Sequence, residues 1–317
     1  MWAALPVLVA GLALSACAAS IARPTGPGPV GDIKGRWRQQ AHWVPMQDQD
    51  GTPRLLYARV CRPPGEAPAR VVVINHGTGL TRTILEPEAC SAEAPEWFLD
   101  RGYMVVMPLR RGYGATVGPV SEHLVVGPQG IRRCDDVQPA MTGLEAARDI
   151  AATVDYATAL PGARPGGAVV LGVSTGGYAT MAFNSVPHPK VVAAINVSGG
   201  SGGRFGGGLG QVCHADRMID GAAKLGASAS TPMLWFYARN DSYFSPDLGA
   251  RCIRPSRLPA AWRSLSRPAC SASMVIPCST VPVGLISGGH RWSDTWRNGP
   301  ARRVQARRTG SLAGVLA

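Results

Sequence analysis

Short apolar runs separated by polar or glycine-rich stretches recur along the chain and predict buried β-strands. Residues 71–75 read Val-Val-Val-Ile-Asn, a continuous run rich in β-branched side chains. Such runs are typical of parallel strands that are covered on both faces. Similar strands are predicted at residues 103–107, 168–172, 191–197 and 233–237.

Helical periodicity occupies segments between these runs. Residues 139–160 place Leu144, Ile150, Val154 and several alanines on one face, which predicts an amphipathic helix. Shorter helices are predicted at residues 91–101 and 175–185, and an antiparallel hairpin at residues 39–47 and 55–61. This alternation predicts an α/β fold over residues 39–249, with a mostly parallel central sheet and helices on both faces.

Composition and charge narrow the class of protein. The chain of 317 residues is 45% apolar and 16% charged, which fits one large folded domain and excludes wholesale disorder. After residue 20 no apolar run reaches roughly 18 residues, so no membrane span is predicted there.

The net charge of +12 is concentrated in residues 248–317, which contain eleven arginines and one acid. This uneven distribution argues against nucleic-acid binding, which normally uses basic side chains spread over a folded face.

The first residues read as an export signal. Residues 1–14 are apolar and lead into Leu-Ser-Ala-Cys at 14–17, which resembles the bacterial lipoprotein box and predicts lipidation of Cys17. An ordinary cleaved signal with an incidental cysteine is the alternative. We therefore expect a signal peptide at 1–17, a flexible tether at 18–38, and a periplasmic or membrane-anchored protein.

Export would place the remaining cysteines in an oxidising compartment, where disulfides are allowed. The main body contains Cys61, Cys90, Cys134 and Cys213, whose spacings fit no zinc site. We favour a Cys134–Cys213 disulfide because both residues fall in loops expected near the rim of the sheet. Free buried thiols are the alternative.

The strongest chemical signal is at residues 172–177, which read Gly-Val-Ser-Thr-Gly-Gly between a predicted strand and a predicted helix. A Gly-x-Ser-x-Gly segment in this setting forms a sharp turn that raises the serine hydroxyl above the sheet. The sequence therefore predicts that Ser174 is a nucleophile. A merely structural turn is the alternative.

With its neighbouring motifs, this segment resembles the α/β-hydrolase family, within it the dienelactone-hydrolase-like and secreted peptidase-like members. The resemblance covers about residues 55–248. It rests on Asn-His-Gly-Thr-Gly at 75–79, Pro-Leu-Arg-Arg-Gly-Tyr-Gly at 108–114, the turn at Ser174 and Asn-Asp-Ser-Tyr-Phe-Ser-Pro at 240–246. Dienelactone hydrolases use cysteine where this chain has serine, so their substrate does not carry over.

The resemblance implies a role for several further residues. The backbone of Thr175 and the loop containing Gly77 and Thr78 would supply N–H donors to the oxyanion. Asp241 would orient a histidine base, with Asp247 as its competitor. His76 more plausibly shapes its loop than acts as the base, and Arg110 and Arg111 more plausibly bind carbonyl groups than substrate.

The catalytic histidine is expected after the acid in chain order, and His290 is the only histidine there. From about residue 249, however, arginine, serine, proline and tryptophan dominate and no periodicity persists. If the codons implied by residues 274–280 are read one base earlier, they can encode His-Gly-His-Pro-Leu-Phe-Asp instead. We therefore hypothesise a frameshift between Leu248 and Cys252, which would make residues 250–317 an out-of-frame tail and remove the true base.

The predicted function is that of an exported serine hydrolase cleaving carboxylic esters through an acyl-enzyme on Ser174. A secreted serine peptidase of the same fold and a catalytically impaired lipoprotein are the alternatives.

The glycine-rich run at 199–210 lacks the Lys-Ser/Thr pair of a phosphate loop, so we expect a mobile loop beside the active site. No metal or other cofactor is implied, and membrane contact is expected only through the lipid anchor.

Overall fold

A computed structural model describes residues 26–78, 84, 86–120, 138–204, 208–229 and 231–253. Strands and helices alternate along these segments, as the sequence predicts. The strands are β1 (Gly28–Lys34), β2 (Gln39–Gln47), β3 (Pro53–Cys61), β4 (Arg70–Asn75), β5 (Tyr103–Pro108), β6 (Ala168–Val173), β7 (Val191–Val197) and β8 (Met233–Phe236). The helices are α1 (Glu93–Leu99), α2 (Pro139–Thr158), α3 (Thr175–Asn184), α4 (Ala215–Gly226) and α5 (Pro246–Ile253).

All eight strands form one sheet in the order β1-β2-β3-β5-β4-β6-β7-β8. The first three strands pair antiparallel, and β3 also runs antiparallel to β5. The remaining strands pair in parallel, in the sheet order β5-β4-β6-β7-β8. Strand order reverses at β4, which lies between β5 and β6, and ligands of such sheets bind beyond the carboxyl ends of the strands at this point.

The β-branched run of β4 explains why the sheet is covered on both sides. Val71 and Val73 are fully buried in one apolar cluster with side chains of α2, α3, α4 and α5. Val72 is fully buried in a second cluster, on the opposite face, with side chains of α1. A strand with two covered faces requires this continuous apolar pattern.

The tether expected at 18–38 is wrong in its second half, because residues 28–34 form β1. This edge strand pairs antiparallel with β2, from Gly28 opposite Trp43 to Lys34 opposite Gln39. Most of its side chains are exposed, so it joins the sheet through backbone hydrogen bonds and not through an apolar pattern. The sheet therefore begins before the expected boundary at residue 39.

Disulfides are present in the main body of the protein. Cys61 at the end of β3 is bonded to Cys90, which precedes α1. Free buried thiols are therefore wrong for these two residues. Cys213 is also disulfide-bonded, but its expected partner Cys134 lies outside the described residues, so that pairing stays a prediction.

Candidate active site

Ser174 lies at the turn between β6 and α3, with backbone angles φ 55° and ψ −121°. These angles are strained for a residue with a side chain. The neighbouring glycines make the turn possible: a Cβ on Gly176 would lie 2.5 Å from the Asn75 carbonyl oxygen, and one on Gly177 would lie 2.5 Å from Asn196 Oδ1. The sequence motif therefore folds as predicted, and Ser174 remains half-buried above the sheet.

Hydrogen bonds from three directions hold the strained backbone of Ser174. Its N–H donates to the Val197 carbonyl at 2.9 Å. Its carbonyl accepts from the N–H groups of Tyr178 at 3.0 Å and Gly200 at 3.1 Å. The turn is thus fixed by β7, by α3 and by the start of the glycine-rich loop.

The residues expected to form the oxyanion hole surround this turn. A Cβ on Gly77 would lie 3.0 Å from Ser174 Cβ and 3.6 Å from Ser174 Oγ, so the absence of a side chain at Gly77 lets the β4 loop approach Ser174 closely. The hydroxyls of Thr78 and Thr175 are hydrogen-bonded at 2.8 Å, which ties that loop to the first residue of α3. The loop after β4 and the first turn of α3 are therefore held together beside Ser174.

Both ring nitrogens of His76 are hydrogen-bonded to backbone groups of neighbouring loops. Its Nδ1 donates to the Gly77 carbonyl at 2.7 Å, and its Nε2 accepts from the backbone N–H of Arg110 at 3.1 Å. This assignment follows from the partners, since a carbonyl can only accept and an N–H can only donate. With both ring nitrogens engaged, His76 shapes the loop, as the sequence favours, and is not placed to serve as the base.

The two arginines after β5 bind protein groups. Arg110 is fully buried and donates to the His76 carbonyl and, at 3.3 Å, to the Thr175 hydroxyl. Arg111 is paired with Asp149 and Asp48 at 2.7 Å each. Both contacts agree with the structural role favoured from the sequence.

Asp241 follows β8 and uses one of its two carboxylate oxygens. Oδ1 accepts from the backbone N–H groups of Tyr243 at 2.8 Å and Phe244 at 2.9 Å, which fixes the direction of the side chain. Oδ2 is buried, and among the described residues it has no hydrogen-bond partner. A buried carboxylate oxygen of this kind is suited to accept an imidazole N–H.

Asp247, the alternative acid, is the exposed second residue of α5. His290 and Cys17 lie outside the described residues, so the structure does not test the expected base or the expected lipidation.

The described segments contain no group of three His, Cys, Asp or Glu side chains that could hold a metal. Within the same segments, no helix is both long and apolar enough to cross a bilayer.

The sequence did not single out Tyr113 or the contacts of the two threonines. The Tyr113 hydroxyl donates to Thr78 Oγ1 at 3.3 Å, and its ring packs edge-on against His76 with centroids 4.6 Å apart. The tyrosine belongs to the Arg-Arg-Gly-Tyr motif after β5, which could have signalled a role beside the site.

Comparison with known proteins identifies the fold. No family model and no curated protein matches the chain. Acetyl xylan esterase 1 from a Thermoanaerobacterium species is 14% identical, with a TM-score of 0.50 over 77% of this chain and 79% of that one. A putative dienelactone hydrolase from Klebsiella pneumoniae is 16% identical, with a TM-score of 0.43 over 73% and 83% of the two chains.

The chain spans less than half of some of the structures that it matches. The chain spans 36% of an acylaminoacyl peptidase from Pyrococcus horikoshii, which is 17% identical over 73% of this chain with a TM-score of 0.46. It spans 45% of DcsB, solved with a substrate analogue, at 20% identity over 50% of this chain and a TM-score of 0.35. At 14% identity, the match to the acetyl xylan esterase is a likeness of fold alone; together with the mostly parallel eight-stranded sheet, it shows the α/β-hydrolase fold.

Proposed function

We propose that this chain is an exported serine hydrolase that cleaves carboxylic esters through an acyl-enzyme on Ser174. The observation that best supports this proposal is the half-buried Ser174 on its strained turn, with Gly77 and Thr175 beside it. Asp241 follows another parallel strand at the same edge of the sheet and has a buried oxygen open to a base.

In the proposed reaction, Ser174 Oγ attacks the ester carbonyl and its proton passes to a histidine. The negative charge that develops on the carbonyl oxygen is stabilised by backbone N–H groups of Thr175 and the Gly77–Thr78 loop. The protonated histidine then gives its proton to the departing alcohol. Water, activated by the same histidine, attacks the acyl-enzyme and releases the acid.

In this proposal Asp241 Oδ2 accepts the Nδ1–H of that histidine. Its buried position would select the tautomer whose Nε2 faces the serine, and its charge would stabilise the imidazolium. The two backbone hydrogen bonds to Oδ1 support this role, because they hold the carboxylate in one orientation.

The identity of the base is a separate proposal. His290 is the candidate in the chain, and a histidine encoded in the frame shifted between Leu248 and Cys252 is the one we favour. Resequencing codons 245–280 decides between them. A single intact frame through this region would exclude the shift and leave His290 as the base.

We also propose that the protein is exported and anchored through Cys17. The Cys61–Cys90 disulfide supports export, because structural disulfides persist in oxidising compartments. Mass spectrometry of the mature N-terminus provides the test. An unmodified Cys17, or an uncleaved N-terminus, would contradict the anchor.

The activity is tested with a series of p-nitrophenyl esters on the protein encoded in the frame that resequencing establishes and on its Ser174→Ala variant, because a chain translated out of frame after Leu248 would lack its base. Removing the nucleophile of a serine hydrolase costs roughly 10⁶-fold in kcat when the triad is complete, so the variant should show background hydrolysis only. Peptide p-nitroanilides in the same assay test for peptidase activity. Equal rates for both proteins would exclude catalysis by Ser174 and favour the catalytically impaired lipoprotein.

A further inference from the structure

The glycine-rich loop after β7 contains one charged residue. Residues 199–210 read Gly-Gly-Ser-Gly-Gly-Arg-Phe-Gly-Gly-Gly-Leu-Gly, and the charge is Arg204. The described start of this loop is packed against the site: Gly200 donates to the Ser174 carbonyl at 3.1 Å, and a Cβ on Gly203 would lie 2.9 Å from Phe244 Cζ and 3.3 Å from Tyr243 Cβ. The loop therefore joins the nucleophile turn to the loop of Asp241.

Arg204 has two unfavourable features in this position. Its φ of 57° lies in the left-handed region, which costs of order 1 kcal/mol for a residue other than glycine. Its Nε is buried, yet among the described residues it has no hydrogen-bond partner. A buried donor without a partner is itself unfavourable, and glycine, abundant in this loop, would avoid both costs.

The guanidinium of Arg204 is fixed by an aromatic ring and not by an acid. Its Cζ lies 5.0 Å from the centroid of the Tyr243 ring. Tyr243 in turn donates its backbone N–H to Asp241 at 2.8 Å, so the cation is attached to the catalytic loop. Within the described segments, no salt bridge joins Arg204 to Asp241 or to another acid.

We propose that Arg204 binds a carboxylate on the substrate, so that the preferred esters are monoanions. A planar guanidinium that has no acidic partner among the described residues is suited to carboxylate recognition. One uncompensated guanidinium balances one negative charge, which favours a monoanion over a phosphate dianion. The loop of Arg204 contacts the Ser174 turn through Gly200, and Arg204 itself contacts Tyr243 in the Asp241 loop, so the subsite borders both proposed catalytic loops. This inference rests on the proposed function for its location and deepens it by naming the substrate class.

The test measures binding in the Ser174→Ala background, so that its outcome does not depend on turnover. Isothermal titration compares 4-acetoxybenzoate with its neutral twin 4-acetoxybenzamide, and monomethyl glutarate with methyl 5-amino-5-oxopentanoate. The two pairs place the charge on the alcohol side and on the acyl side of the ester. We expect the anion of at least one pair to bind roughly ten- to a hundred-fold more tightly, as a charge-assisted hydrogen bond allows.

Arg204→Gln should remove this preference and leave binding of the neutral twin unchanged, whereas Arg204→Lys should retain part of it. Arg101→Gln is the matched control, because Arg101 also lies over an aromatic ring, 3.8 Å from the Trp97 centroid, but precedes β5 at the opposite edge of the sheet. The preference should also weaken as salt is added.

Equal affinities within both pairs would overturn the proposal, and so would a preference that survives Arg204→Gln. If Arg204→Gln weakens the charged and neutral ligands equally, the residue is structural and the proposal also fails. The hydrolysis assay with Ser174→Ala tests the proposed function, whereas the binding assay tests this subsite. A failure of one proposal is therefore distinguishable from a failure of the other.

Discussion

The two oxygens of Asp241 have different environments, and this difference predicts its role. Oδ1 is fixed by two backbone donors, while Oδ2 is buried without a partner among the described residues. Asp241→Asn keeps the shape of the side chain but removes the charge and favours the wrong imidazole tautomer. We expect kcat on a p-nitrophenyl ester to fall about 10⁴-fold if the base is present, as in a serine triad.

The matched control for this variant is Asp247→Asn, which changes an exposed acid six residues away along the chain. It should leave kcat unchanged. A normal kcat for Asp241→Asn, in a protein that Ser174→Ala inactivates, would show that Asp241 does not orient the base.

His42 provides a prediction about pH. Its ring is buried, Nδ1 is hydrogen-bonded to the Tyr156 hydroxyl at 2.8 Å, and burial, with the nearby Arg62 charge, lowers its pKa to about 4. Between pH 6.5 and 4 the unfolded chain therefore binds a proton that the folded chain does not. Stability from His42 is present above pH 6.5 and is lost as pH falls towards 4, by about 3 kcal/mol.

This contribution is measured by urea unfolding at pH 7, 5.5 and 4. His42→Gln should lower stability at pH 7, because the packing and hydrogen bond change, but should flatten the loss between pH 6.5 and 4. A pH profile parallel to that of the parent would show that other groups cause the acid dependence.

Local motifs allowed some residues of the site to be predicted and others not. The turn angles of Ser174 and the close approach of Gly77 follow from sterics encoded within a few residues, so the pattern was sufficient. The contact of Arg204 with Tyr243 joins two distant loops, and no spacing in the sequence indicates it. The free oxygen of Asp241 likewise depends on how its loop folds back on itself.

At the scale of elements, Arg111 connects three parts of the fold. It is almost fully buried and pairs with Asp149 on α2 and with Asp48 beside the β2–β3 hairpin, and it follows β5. A buried pair that loses one partner leaves an uncompensated charge, which costs about 3–5 kcal/mol. We expect Arg111→Met to lower the free energy of unfolding by that amount, as measured by denaturant titration.

Arg36→Met is the control for Arg111, since Arg36 is 71% exposed and its ion pairs are on the surface. Surface pairs contribute about 0–1 kcal/mol. Comparable losses for the two variants would mean that burial of the Arg111 pairs does not determine their contribution.

The elements that were missed have little apolar pattern of their own. The strand β1 joins the sheet by backbone pairing, with mostly exposed side chains. The helix α4 has a buried face of Met218, Ala222 and Leu225, but two glycines and four charged residues share its twelve positions. The central strands were predicted because both of their faces are covered, which requires a continuous apolar run.

For the whole molecule, strand order determines which loops meet. The carboxyl ends of β4 and β6 lie side by side because β4 pairs with both β5 and β6. Residues almost a hundred positions apart in sequence, Gly77 and Ser174, are thereby brought into contact. The alternation of strands and helices predicted this class of sheet, because each parallel strand needs a crossover helix before the next one.

The Cys61–Cys90 disulfide sets the dependence of the whole fold on its compartment. It closes a segment with a sequence separation of 29, and the chain-entropy estimate for such a loop is about 3–4 kcal/mol. That is a large part of the 5–15 kcal/mol typical of a folded domain. We therefore expect the Cys61→Ala/Cys90→Ala double variant to unfold at a lower denaturant concentration in oxidising buffer.

Reductant supplies the internal control for this prediction. In dithiothreitol the parent and the double variant should converge, because both then lack this cross-link, while the Cys213 disulfide is reduced equally in each. Equal stability in oxidising buffer would show that the bond adds nothing to the fold. Convergence only under reducing conditions would mean that the protein reaches its full stability only in an oxidising environment, where structural disulfides persist.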